Sequence, residues 1–408
     1  MNKLLGAVLI VKNEVATIQK TLGSCIELMD AITMLDTGST DSTLDLVRKL
    51  VSPAFPLVLA VDKFKDYATA RNRVLAIAED VNTTTFTLTL SADEVLVGGP
   101  ELRAFLESHR DSPEGSYCIM MRSGPRQWPF PRVLRTGAGW KYENSAGLRH
   151  EQPVGLNNEP VGPLIPGVFV VHEESNPQRK FERLRDSDLP DLTAVVEDES
   201  RSISERLEPM FQLAETHFVI GQHEQQTGDR MQLLDGKHLS HFFASMALYT
   251  RYAGIAESFS AKMKELGEPD HEHLLQRAMY AHLMYLQVAE TFGLFEPTEL
   301  VKRLSMVVGV APKLPEAHWA LARNSAKVDV RKAIALAMRS AKVARLVYDH
   351  PVHGPVDTTL EWQSYLLAAE CSRVIKDKRM QSHFAKMALE AGASREVVGE
   401  LAGLVSVS

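Results

Sequence analysis

Apolar β-branched runs and stretches of helical spacing alternate over the first ~175 residues. Ala7 to Lys12 is one such run and predicts a buried strand, closed by the polar Asn13 and Glu14. From Val15 to Met29 the apolar positions Ile18, Leu22, Ile26 and Met29 fall on one helical face. Ala31 to Leu35 predicts a second strand, which runs into Asp36, Thr37, Gly38, Ser39, Thr40 and Asp41. Leu57 to Val61 predicts a third strand and Asp66 to Ala78 a helix. A fourth strand, Thr85 to Leu90, ends in Ser91, Ala92, Asp93 and Glu94. Pro100 opens a short helix at its favoured first-turn position. Tyr117 to Met121, Arg132 to Arg135 and Gly167 to Val171 read as further strands, broken by loops rich in Pro and Gly. This order is that of an α/β domain with a mixed sheet, and polar residues gather at the carboxyl ends of its strands, where such sheets bind ligands.

From about Lys180 the strand signals fade and the chain reads as amphipathic helices of ten to eighteen residues. An acidic stretch, Glu197 to Glu199 with Ser200 and Ser202, reads as a connector. Farther on, Pro315 to Ala322 precedes a helix at Lys332 to Ala344, and Glu361 to Glu370 precedes another at Met380 to Ala391. Small and large apolar residues recur in both pairs, as close antiparallel packing requires. The arrangement resembles degenerate tetratricopeptide repeats, although the spacing is nearer 45 residues than their period of about 34. The expected organisation is an α/β domain over residues 1–190 followed by an all-α, helical-repeat domain over 191–408 that binds an acceptor or dimerises the protein.

Composition narrows the classes. A chain of 408 residues with a net charge of −7 has room for two or three domains and does not suit wholesale electrostatic binding of nucleic acid. Cys25, Cys118 and Cys371 lie far apart and fit no metal or redox spacing. Only Lys3 precedes the first strand as a charged residue, unlike a secretory leader, and no apolar run reaches the ~20 residues of a membrane span. A cytoplasmic protein is expected.

Four motifs in order, IVKNE at 10–14, DTGSTDST at 36–43, ATARN at 68–72 and SADE at 91–94, resemble those of family 2 glycosyltransferases of the GT-A fold. A weaker fifth piece, PRVLRTGAGW at 131–140, leads to His150 and Glu151. The resemblance implies a Rossmann-like GT-A domain over roughly residues 4–190 that transfers a sugar, with inversion, from a nucleotide-sugar donor, a UDP-sugar favoured. It implies that Asn13, Glu14 and Asp36 serve the nucleoside and that Arg71 and Asn72 belong to the nucleotide site. Gly38 gives the backbone freedom for close approach to the donor, and Ser39, Thr40 and Asp41 cap the next helix or shape the pocket.

Members of that family carry Asp-x-Asp at the fourth strand end, where a divalent cation bridges the diphosphate. This chain has Ser91 in the first place, so Asp93 is left as the candidate ligand of Mn²⁺ or Mg²⁺, with His172, after the late strand, as a second. Inverting transfer needs a base for the attacking hydroxyl. Glu151 is the candidate, with Glu94 and Glu143 behind it, and Asp93 acts at the same centre through the cation.

Between Arg122 and Arg149 lie Arg126, Arg132, Arg135 and Lys141, interleaved with Trp128, Phe130, Trp140 and Tyr142. Two readings stand: a loop with its aromatics in the core, or a platform for an anionic or stackable acceptor. The second keeps modified DNA bases among the acceptor classes, beside protein, glycan and lipid. A non-catalytic sugar-nucleotide-binding scaffold is the rival class, raised by Ser91. His217, His223, His238 and His241 lie in a helical region without a metal motif and read as structural, and Gly236-Lys237 lacks the upstream glycine of a phosphate loop.

Overall fold

The computed structural model describes residues 3–81, 83–145, 150–156, 161–172, 177–227, 237–268, 271–348 and 356–401. Arg149, Glu173, Glu174 and Gly236 lie outside the described residues. The chain divides into two compact units, residues 1–180 and 181–408. The division falls after Lys180, and Leu189, which precedes residue 190, packs against the helical core.

The first unit is built on β1 (Leu5–Val11), β2 (Ala31–Asp36), β3 (Leu57–Val61), β4 (Phe86–Ser91), β5 (Glu94–Val97), β6 (Ser116–Ser123), β7 (Arg126–Arg135) and, after a separate hairpin, β10 (Leu164–His172). Their order in the sheet is β3-β2-β1-β4-β7-β6-β10-β5. The first four run parallel, β7 is antiparallel to both β4 and β6, β10 is parallel to β6, and β5 is antiparallel to β10. The sheet is therefore mixed, as expected. The hairpin pairs β8 (Lys141–Ser145) with β9 (His150–Val154).

Helices cover both faces. Leu5, Leu9 and Val11 of β1 join a core with residues of α1 (Ile18–Cys25), α2 (Thr43–Leu50) and α4 (Gly99–Ser108). Val8, on the opposite side of the same strand, joins a second core with α3 (Tyr67–Val81), Trp140 and Tyr142. The first helix is shorter than its apolar spacing predicts. The N–H groups of Thr17 and Ile18 both reach the carbonyl of Glu14, making a turn, and Ile26–Leu28 tightens into a 3₁₀ turn.

The stretch predicted as a loop before Arg132 is instead one ten-residue strand, β7, despite Pro129 and Pro131. These prolines are tolerated for a geometric reason. Counting from the two-residue turn Gly124-Pro125, they fall at register positions whose missing N–H would point away from β6, and β4 pairs only with Val133 to Arg135.

The second unit is helical, with cores of small and large apolar residues such as Ala337, Ala341, Ala368, Ala369 and Phe384. The predicted repeat segments form helices at Pro315–Ser325, Val330–Tyr348, Leu360–Val374 and Lys378–Glu390. Upstream the helices Ile203–Thr227, Lys237–Glu265 and His271–Thr291 run to 25, 29 and 21 residues, longer than the sequence predicts. Internal Pro209, Gly221 and Gly254 hide that continuity from a propensity reading, and packing overrides them. No helix among the described residues is long and apolar enough to cross a membrane.

Candidate active site

The loops after β1 and β2 are stitched into one structure. Asn13 has a left-handed backbone (φ 57°), which asparagine tolerates well, and its side-chain oxygen accepts from the N–H of Thr40 at 2.8 Å. In return its own N–H donates to Ser39 Oγ at 3.0 Å, and the N–H of Glu14 donates to Thr43 Oγ1 at 2.8 Å. The Glu14 carboxylate accepts from Thr17 Oγ1 at 2.8 Å. Asp36 is buried, and its oxygens accept from the N–H groups of Gly38 and Ser39 at 3.1–3.3 Å and from the Ser39 hydroxyl. Asp36 thus holds its own loop in shape. Gly38 takes φ 106°, a conformation that strains any residue with a Cβ, and it faces open space.

At the end of β4 the chain turns through Ala92 and Asp93 straight into β5. The Thr21 hydroxyl of α1 secures this turn by donating to the Ala92 carbonyl at 2.8 Å. Antiparallel pairing sets His172 of β10 opposite Glu94. His172 Nδ1 consequently lies 3.6 Å from Asp93 Oδ2, both side chains partly exposed. Burial raises the Asp93 carboxyl above its ordinary pKa, His172 opposes that rise, and Glu94 adds to it. The sequence-predicted metal pair is therefore brought together, although among the described residues no cluster of three or more metal-binding side chains forms. One carboxylate and one imidazole suit a divalent cation that draws its other ligands from a diphosphate and water.

Ser91 is engaged twice: its N–H donates to Glu94 Oε2 at 2.7 Å and its hydroxyl accepts from Arg71 at 2.9 Å. The other oxygen of the buried Glu94 accepts from Arg132. Both oxygens of Glu94 thus accept from the protein's own groups. Glu143 is exposed and pairs with Lys141 at 2.7 Å. Glu151 is mostly buried, and its Oε1 accepts from Arg71 Nε at 3.3 Å.

Arg71 and Asn72 sit in α3, which Asp66 caps by accepting from the N–H of Thr69 at 2.7 Å. Burial opposes the charge of Arg71, but Tyr142, Glu151 and Glu94 outweigh it and raise the guanidinium pKa. Asn72 does not face the strand-end loops. Its amide brackets the backbone of Tyr142, donating to the carbonyl at 2.8 Å and accepting from the N–H at 2.7 Å. Sequence reasoning missed Asn144, which donates to Asp66 at 3.2 Å, and the hairpin it belongs to. The polar Lys141–Ser145 and His150–Val154 give no strand signal of their own.

The aromatics of the basic stretch pack into the core or against it. Trp140 and Tyr142 are buried, and Trp128 and Phe130 pack against the main core. Arg132 turns inward to Glu94, and Arg135 donates to the carbonyls of His109, Arg110, Ser112 and Glu114. Those two arginines are tied to the protein's own groups, whereas Arg122, Arg126 and Lys141 are exposed. In the helical unit His217 and His241 face each other, Nδ1 to Nδ1, at 2.8 Å.

No protein-family model matches the chain. A curated tetratricopeptide repeat-containing protein of Synechococcus elongatus is 29% identical over 147 residues, 36% of this chain. The match spans about a third of that protein's length. Among solved structures, Staphylococcus aureus TarS 1–349 aligns at 12% identity with a TM-score of 0.34, covering 71% of this chain and 91% of that one. The mannosyltransferase PcManGT of Pyrobaculum calidifontis, solved with GDP-Man and Mn²⁺, aligns at 14% identity and a TM-score of 0.35 over 70% of this chain and 88% of its own. YrrB, a TPR protein described with an unusual peptide-binding site, aligns at 13% identity and 0.28 over 52% of this chain and 98% of its own.

Proposed function

We propose that the first unit is a GT-A glycosyltransferase that moves a sugar with inversion from a nucleotide donor, a UDP-sugar favoured, to an acceptor not yet identified. The observation that carries this reading is the convergence at the end of β4. Asp93 and His172 stand 3.6 Å apart there, and Glu151 reaches the same strand end through Arg71 and Ser91. Four segments distant in the sequence supply these groups.

The loops at Asn13–Glu14 and Asp36–Asp41 frame the nucleoside side, with Asp36 holding the loop and Gly38 leaving room beside it. Asp93 and His172 would hold Mn²⁺ or Mg²⁺, which supplies charge stabilisation for the departing diphosphate. Glu151 takes the proton of the attacking hydroxyl as the new glycosidic bond forms and the bond from the anomeric carbon to phosphate breaks. The helical unit binds the acceptor or pairs two copies of the chain, since helical arrays present extended surfaces.

The test is release of nucleoside diphosphate by the full chain from a panel of UDP-sugars and GDP-mannose with Mn²⁺. Glu151→Gln should bind UDP normally and lose release by roughly 10²-fold. Binding without turnover in the unaltered chain would favour the scaffold reading instead.

A further inference from the structure

The ATARN segment does something on this chain that its motif does not announce. Arg71 is only 5% exposed. It donates from all three nitrogens of its fork: to the Leu90 carbonyl at 2.9 Å, to Ser91 Oγ at 2.9 Å and to Glu151 Oε1 at 3.3 Å. Its guanidinium carbon also lies 5.9 Å from the centre of the Tyr142 ring. Three of its five N–H groups are thus spent on the protein itself, and almost none of its surface faces solvent.

The neighbouring contacts share one target. Asn72 brackets the Tyr142 backbone, and Asp66 accepts from Asn144, the register partner of Glu151 in the hairpin. The Tyr142 hydroxyl donates to Thr89 of β4 at 3.0 Å. Side chains at the start of α3 therefore dock the β8–β9 hairpin against β4, and the hairpin carries Glu151.

We infer that Arg71 is a positioning residue for Glu151, fixing that carboxylate against the end of β4, and not a ligand of the nucleotide. The inference rests on the glycosyltransferase reading, in which Glu151 is the base. A planar fork with fixed directions meets a backbone carbonyl, a hydroxyl and a carboxylate together, which a single ammonium does not reproduce.

Isothermal titration of UDP with Mn²⁺, paired with the steady-state release of UDP from a UDP-sugar, tests this on the full chain. Arg71→Met should leave UDP affinity and donor KM within about threefold while kcat falls roughly 10²-fold. Arg71→Lys, which is gentler on the fold, should show the same split and restore little of kcat. A UDP affinity weakened tenfold or more in the folded Lys variant, with kcat at saturation unchanged, overturns the inference and returns Arg71 to the donor. Glu151→Gln separates the two claims. If it turns over as fast as the unaltered chain, the base assignment falls and the positioning role falls with it. If it is inactive while Arg71→Lys loses UDP binding, the base assignment stands and only the positioning role falls.

Discussion

Asp36 and Asp93 both sit where parallel strands end at the carboxyl edge of one sheet, yet Asp36 is 3% exposed and Asp93 keeps 29% of its side chain open beside His172. The difference comes from the turn that succeeds each strand. After β2 the chain folds back through Thr37 to Ser39 and returns two N–H groups to the Asp36 carboxylate. After β4 it turns through Ala92 and Asp93 directly into β5, and the N–H of Ser91 is taken by Glu94. The turn that follows a strand thus sets how much of its terminal carboxylate stays open.

That contrast is sharpest under substitution. Asp93→Asn should keep the fold and lower Mn²⁺-dependent donor turnover by roughly 10²-fold or more, measured against a chelator control. Full turnover in excess chelator would show that no cation acts there. Asp36→Ala should act first on stability, because the Gly38 and Ser39 N–H groups and the Ser39 hydroxyl lose their acceptor. A loss of about 1–3 kcal/mol in urea unfolding is expected, and an unchanged midpoint would mean that the loop does not depend on Asp36.

A smaller effect should appear in the helical unit. Burial and the neighbouring His241 lower the His217 pKa to about 4 from the ordinary 6.5. Between those values the unfolded chain binds a proton at this position that the folded chain refuses. Stability therefore falls as pH drops from about 6.5 to about 4 and levels off below. Melting curves across that window should show the slope, and His217→Gln should flatten it. The smallest effect is expected at Asp45, which is 72% exposed and meets Arg48 at 3.1 Å on the surface of α2. Asp45→Ala should change stability by no more than about 0.5 kcal/mol.

Much of the α/β unit was legible because its parallel strands are continuous apolar runs. Leu57 to Val61 coincides with β3, the Ala31 strand differs by one residue at its end, and the Phe86 strand differs by one residue at each end. The strand β5 was not legible. It is four residues long, and its pairing partner β10 lies some 70 residues further along the chain, a relation no local pattern encodes. The hairpin was missed because its strands bring one buried aromatic, Tyr142, to the core and polar side chains of α3 hold the rest. At the site, Asp93 could be named from the SADE motif and His172 from its place after the late strand, but Glu94 as the partner of Arg132, and Asn72 as a clamp on Tyr142, depend on long-range geometry.

Under the proposed function, the end of β4 holds a nucleoside diphosphate through a cation on Asp93 and His172. Calorimetric titration of UDP into the full chain, with Mn²⁺ and again with chelator, tests it most directly. Mn²⁺ should strengthen binding by at least about tenfold in the unaltered chain, and Asp93→Asn should abolish the gain. Equal affinity with and without Mn²⁺, or a gain that survives in Asp93→Asn, would contradict it.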